Sequence, residues 1–76
     1  PFNLSCVVRY GLPRSSPVVL TLYNLLGQRI AVLDEGLKEA GYHEVTFSAS
    51  GLASGVYLYR LDAGTFTSTR KMVVLK

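Results

Sequence analysis

One cysteine, one histidine and five carboxylates are all that this 76-residue chain offers to disulfide, metal or acid–base chemistry. Cys6 has no second cysteine, which excludes an internal disulfide and a cysteine metal pair. Within Leu4-Ser5-Cys6-Val7-Val8 it reads as a small apolar strand residue rather than a reactive thiol. The carboxylates are scattered and lack the alternating oxygen-ligand pattern of a calcium loop, so neither a metal nor a cofactor is expected. No run approaches the roughly 18 apolar residues that span a bilayer, so membrane insertion is not expected. There is no initiator methionine and no basic-then-apolar leader, and a chain starting at Pro1-Phe2-Asn3 reads as a piece of a longer polypeptide.

What is present is a core-forming composition, with 49% apolar and 17% charged residues. That excludes a disordered tail. At this length one domain is expected, burying about 60 to 65% of the surface that the unfolded chain exposes. The net charge is +3 and the pI about 9.3. Such a balance suits nucleic acid only if the cations cluster into a dense stripe. Arg9, Arg14, Arg29 and Lys38 are dispersed, and only Arg60, Arg70, Lys71 and Lys76 gather, near the end. We read them as a soluble basic face, and no nucleic-acid partner is expected.

The apolar pattern repeats every two residues far more often than every 3.6, with no internal repeat and no low-complexity tract. Leu4 to Tyr10 reads as a first strand closed by Gly11-Leu12-Pro13. Val18, Leu20 and Leu22 share one face of a second strand. Asn24-Leu25-Leu26-Gly27 is its turn, with asparagine bonding the local backbone and glycine taking positive φ. A third strand, Gln28 to about Leu33, runs back beside the second. Asp34 to Gly41 is expected to be a polar loop tipped by Lys38 and Glu39, with a short helix as a weaker reading. His43, Val45 and Phe47 face one way on a fourth strand, opposite Tyr42, Glu44 and Thr46. Ser48 to Gly55 is a small-residue loop that Leu52 anchors in the core. Val56–Asp62 and Thr65–Leu75 close the domain as a hairpin turning at Ala63-Gly64. A two-residue turn places Tyr57, Tyr59 and Leu61 on one face with Phe66, Met72 and Val74, and Arg60 on the other with Thr67, Thr69 and Lys71. The expected fold is all-β, a small antiparallel sandwich of about six or seven strands.

Catalytic readings fail on residue supply. A protease constellation needs His43 together with Cys6 or a serine, and with Asp34 or Asp62. His43 reads more simply as a strand residue at the core's edge. Ser68 and Lys71 have the serine-x-x-lysine spacing of penicillin-binding enzymes, but in a strand-forming run without the companion motifs. Gly51 and Gly55 have the spacing of a small-residue helix contact, yet they punctuate a polar loop. Asn3-Leu4-Ser5 fits a glycosylation acceptor by a pattern of high chance frequency. Tyr57 and Tyr59 lie two apart in a central strand, where burial with hydroxyls at the rim competes with a sugar-stacking platform. Tyr10, Tyr23 and Tyr42 stand on other strands.

The order of several short motifs carries a resemblance across the whole chain. Pro1-Phe2-Asn3, Val8-Arg9-Tyr10-Gly11-Leu12-Pro13, Val18 to Tyr23 followed by Asn24-Leu25-Leu26-Gly27-Gln28, Ala40-Gly41-Tyr42-His43, Ser50-Gly51-Leu52-Ala53-Ser54-Gly55-Val56-Tyr57 and Lys71-Met72 together resemble the type A C-terminal sorting domain of the type IX secretion system. The flagellar hook-cap protein's immunoglobulin-like domain is a related module. The chain departs from that pattern at Leu4 for proline, at Cys6 for serine or threonine, and at Phe47-Ser48 for tryptophan-aspartate. All three changes are compatible with packing.

The resemblance implies a seven-stranded or near-seven-stranded immunoglobulin-like sandwich closing a secreted bacterial protein. It implies a cargo attached upstream that passes through the periplasm of a Gram-negative bacterium to the cell surface or medium. The implied partners are the outer-membrane secretion machinery and a cell-surface sortase-like peptidase that removes the domain. Gly55 and Tyr57 match the family's glycine-x-tyrosine strand entry, Gly64 its hairpin glycine, and Lys71 to Lys76 its basic and apolar end. The expected recognition residues are therefore Gly55, Tyr57, Gly64, Lys71, Met72, Val73, Leu75 and Lys76, although turn formation, core packing and solubility each offer a simpler role. The expected function is a sorting and secretion signal without enzymatic activity. The alternative is a noncatalytic structural or carbohydrate-associated sandwich of an extracellular enzyme.

Overall fold

The computed structural model describes residues 5–75. Six strands make up the regular structure there: β1 (Ser5–Leu12), β2 (Ser16–Asn24), β3 (Arg29–Lys38), β4 (Gly41–Ser48), β5 (Gly55–Ala63) and β6 (Phe66–Val74). All pairings are antiparallel. They form a two-stranded sheet, β1-β4, and a four-stranded sheet in the order β3-β2-β5-β6.

The two-residue period of β2 explains why the sheets stack. Val18, Leu20 and Leu22 are 1%, 0% and 1% exposed, an unbroken apolar face that only a second layer can shield from water. Val8, Tyr10 and Leu12 of β1 supply that layer and pack with Leu61 and Ala63 of β5. A second cluster of Leu22, Ala49, Tyr57 and Val74 fills the other end. Leu33, Phe47 and Tyr59 touch both clusters, so the core is continuous.

The β2–β3 turn forms as its residues dictate. Asn24 Oδ1 accepts from the backbone NH groups of Leu26 and Gln28 at 2.9 and 3.0 Å, and Gly27 sits at φ 82°, where a Cβ is disfavoured. Asn24 Nδ2 also donates to Gln28 Oε1 at 2.7 Å. The alternation in β4 appears as expected, with His43, Val45 and Phe47 half-buried and Tyr42, Glu44 and Thr46 exposed.

The span read as a polar loop, Asp34 to Gly41, is instead largely strand. β3 continues to Lys38 and pairs with β2 as far as Ser16, leaving residues 39–40 as the connection, with no helix. The ladder with a nine-residue β2 outweighs the local preference of Asp34, Glu35 and Gly36. An edge strand tolerates these residues because one side faces water. Register shifts at Leu20/Thr21 and Leu22/Tyr23 absorb two extra residues of β3.

Smaller differences follow the same logic. β1 runs through Gly11 to Leu12, which is buried at 5%. The hairpin turns at Gly64-Thr65, because Ala63 is 7% exposed and pairs with Phe66. Gly64 takes φ 63°, the left-handed conformation of the turn's first position. In the β4–β5 loop Ala49 is the fully buried residue, and the half-buried Leu52 packs against the core while its NH donates to the Ala49 carbonyl at 3.0 Å. Leu4, the expected start of the first strand, lies outside the described residues.

A polar clasp ties the sheets together at the β3–β4 side. Tyr10 OH of β1 donates to Asp34 Oδ2 of β3 at 2.9 Å. Asp34 Oδ1 accepts from Glu35 NH at 2.9 Å and meets Lys38 Nζ at 3.3 Å. The Tyr10 ring stacks on His43 of β4 with centroids 5.2 Å apart. Burial pushes the Tyr10 phenol up to about 12, with the hydrogen bond to Asp34 and its charge adding to the effect. Burial alone would raise the Asp34 carboxyl, but hydrogen bonds from Tyr10, Glu35 NH and Lys38 outweigh it and hold the group below its usual range.

Candidate recognition surface

The closing hairpin divides its residues between scaffold and surface through the strand period. Residues 55, 57, 59, 61 and 63 of β5 pair in turn with residues 74, 72, 70, 68 and 66 of β6, and these share the core-facing side. Tyr57 is 8% exposed and its hydroxyl donates to the Ala53 carbonyl at 2.7 Å, tying the β4–β5 loop to the strand that follows it. Met72 is half-buried against the second core cluster, and Val74 is 1% exposed beside it. Gly55 opens β5 opposite Val74. Phe66 shares this side, as expected, but lies at its margin and is 47% exposed.

The opposite side of the hairpin faces water. Lys71 and Val73 project there, with Val73 54% exposed, and Leu75 follows the strand at 78%. Arg60, Thr67, Thr69 and Lys71 share this side, matching the expected division. Arg60 Nε lies 3.0 Å from Asp62 Oδ1, which also accepts from Thr67 Oγ1 at 3.1 Å, so that pair is electrically closed. Lys71 has no ion-pair partner among the described residues. Lys76, another expected recognition residue, lies outside the described residues.

Strand order adds neighbours that sequence reasoning left unassigned. Lys71 pairs with Leu58, Leu58's strand places it beside Tyr23, and Tyr23 pairs with Arg29, forming one row across all four strands. Val56 pairs with Val73 in the next row. The result is an apolar strip between two cations, Lys71 at one margin and Arg29 at the other. Alternation alone signalled that Leu58 faces away from the core, but only the order β3-β2-β5-β6 brings Arg29 and Lys71 onto one face.

The alternative chemical groups are held apart or engaged elsewhere. Cys6 pairs with Phe47 and Tyr10 with His43, so Cys6 and His43 sit about 13 Å apart along the ladder. His43 Nε2 donates to the Glu39 carbonyl at 2.7 Å. Asp34 is bound in the clasp and Asp62 to Arg60 and Thr67. Ser68 and Lys71 lie on opposite sides of β6, because they stand three positions apart in a strand. Among the described residues no three potential metal ligands form a group, and no helix is long and apolar enough to cross a membrane. Asn3, of the glycosylation pattern, lies outside the described residues.

The family described as secretion system C-terminal sorting domain matches residues 1–75 of the chain. No curated protein and no solved structure matches it.

Proposed function

The chain belongs to the secretion-system C-terminal sorting domains, and from that premise we propose that the machinery reads this copy through the water-facing side of its closing hairpin. Domains of this family are C-terminal sorting signals for type IX secretion, borne by a cargo protein that is secreted or displayed at the cell surface. The all-strand, two-sheet architecture presents such a signal as a folded object.

One observation carries the assignment of the surface. At the end of β6 Met72 and Val74 are committed to the core, and the alternate residues, Lys71 and Val73, stand exposed beside Leu75. Exposed valine and leucine next to an unpaired lysine are costly to solubility and useful to a partner that can cover them. Lys71, Val73, Leu75 and Lys76 are the residues touched in this reading. Gly55, Tyr57, Gly64 and Met72 hold the hairpin in the shape that is read.

The finer steps belong to the same proposal. The chain is one domain at the end of a longer secreted protein, and its cargo crosses the periplasm of a Gram-negative bacterium before reaching the outer membrane. A sortase-like peptidase at the cell surface then separates domain from cargo. The catalysis is the peptidase's, and this chain is not an enzyme. Its histidine and aspartates support that reading, being engaged with the Glu39 carbonyl, Tyr10, Lys38 and Arg60.

The test fuses residues 1–76 to a periplasmic reporter in a host with the secretion machinery. The unaltered fusion should reach the surface, and the variant Lys71→Glu with Val73→Asp should remain in the periplasm. Both positions are exposed, so its thermal midpoint should stay within about 4 °C of the parent. Normal surface delivery of the folded variant would remove the hairpin face from recognition.

A further inference from the structure

The two sheets differ in width, and the difference is localised. Four strands face two, and β4 lies toward β3, so the uncovered part of the wide sheet falls under β5 and β6. A groove of about 420 Å³ occupies that flank. Tyr59 and Leu61 of β5 and Phe66 of β6 line it from the wide sheet, Tyr10 and Tyr42 from the narrow one, and Arg9 and Arg70 from opposite strands. It lies on the core side of β6, away from Lys71 and Val73.

Two features of this groove specify what fits. First, it is bounded by backbone edges that are free among the described residues, where β1 pairs only with β4 and β6 only with β5. A strand laid along β1 would sit about 4.8 Å from it and about 10 Å above the wide sheet, over β5 and β6. Its main chain would satisfy the unpaired edge groups of β1. Second, the lining contains two arginines and no carboxylate. Arg70 has no hydrogen-bond or ion-pair partner among the described residues, and Arg9 engages Glu44 through Nε alone at 3.1 Å with its side chain 76% exposed.

The geometry points to an extended acidic peptide from a separate protein, added as a third strand along the free edge of β1. Its carboxylates meet Arg9 on the outer face and Arg70 on the inner face, and alternate apolar side chains rest on Tyr59, Leu61 and Phe66. A second copy of the chain is a poor occupant. The chain carries a net charge of +3, and symmetric pairing through this groove would crowd two Arg9 and two Arg70 together without acids to match. Pro1-Phe2-Asn3-Leu4 carries no carboxylate to meet these arginines.

The test uses the whole 76-residue chain, labelled with ¹⁵N, and the peptide acetyl-TVTVEETVT-amide. Extended, that peptide shows valines and one glutamate on one face, and threonines and the other glutamate on the opposite face. Binding should slow amide exchange at alternate residues of β1 and leave the outer edge of β6 unchanged. Replacing both glutamates by lysine should weaken binding at least tenfold, and Arg9→Glu with Arg70→Glu should reverse that preference. The peptide reversal against the unaltered chain keeps the test decisive even if the double variant does not fold. No binding at millimolar peptide, protection on β6 instead of β1, or equal affinity for both peptides would overturn the proposal. So would protection of the same β1 amides through dimer formation without peptide.

Discussion

Replacing Tyr10 by phenylalanine isolates the clasp between the sheets, because it removes one hydroxyl and keeps the ring that stacks on His43. The lost bond is the 2.9 Å donation to Asp34 Oδ2. A hydrogen bond to a charged group contributes about 1.5–3 kcal/mol. Asp34 keeps Lys38 and the Glu35 NH, and the clasp borders water, so the expected cost is about 1–2 kcal/mol at pH 7. In a domain of this size that lowers the melting temperature by roughly 5–12 °C.

The pH dependence of this cost distinguishes a hydrogen-bonded clasp from a mere change of shape. Asp34 is depressed in the folded state, so its contribution is complete above its unfolded value of 3.8 and is lost as pH falls through the lower folded value. Tyr10 is raised from 10.0 to about 12, so its contribution is complete below pH 10 and is lost as pH rises through that interval. The stability difference between parent and variant should therefore be flat from about pH 4 to 10 and should shrink at both ends. Chemical denaturation of the two proteins in parallel across pH 3–12 measures it. A difference that is absent at pH 7, or that persists unchanged across the whole range, would refute the assigned role of the Tyr10–Asp34 bond.

Two further substitutions probe the scaffold that presents the hairpin. Leu20 is 0% exposed at the centre of the first core cluster, so Leu20→Ala should cost about 3–4 kcal/mol. That is a large share of the 5–10 kcal/mol available to a domain of this length, and urea titration should show a lower midpoint with an unchanged slope. Gly64 holds φ 63° in the hairpin turn, where Gly64→Val should cost about 1–3 kcal/mol and Gly64→Asn clearly less. Equal thermal midpoints for those two variants would contradict the left-handed turn.

Local pattern was enough for much of this molecule. The alternation around Leu20 announced a strand with one buried face, and Asn24 with Gly27 announced the turn after it, because their chemistry acts within four residues. The family was legible in ordered short motifs, since a fold conserves its turn and packing residues at set spacings. The facing of Lys71 and Val73 away from Met72 and Val74 also followed from the period of two. Pairing across the chain was not legible. Asp34 to Lys38 has a loop-like composition and became strand only because β2 extended a partner edge to it. Ala49 is buried because it packs from its loop against Leu22, Tyr57 and Val74, and Phe66 is half-exposed at the margin of the wide sheet, neither of which a local window encodes. The groove between Arg9 and Arg70 exists because a two-stranded sheet lies over a four-stranded one. Sixty residues separate those arginines in sequence, and only tertiary packing, which sums backbone edges and apolar faces over the whole chain, brings them to one site.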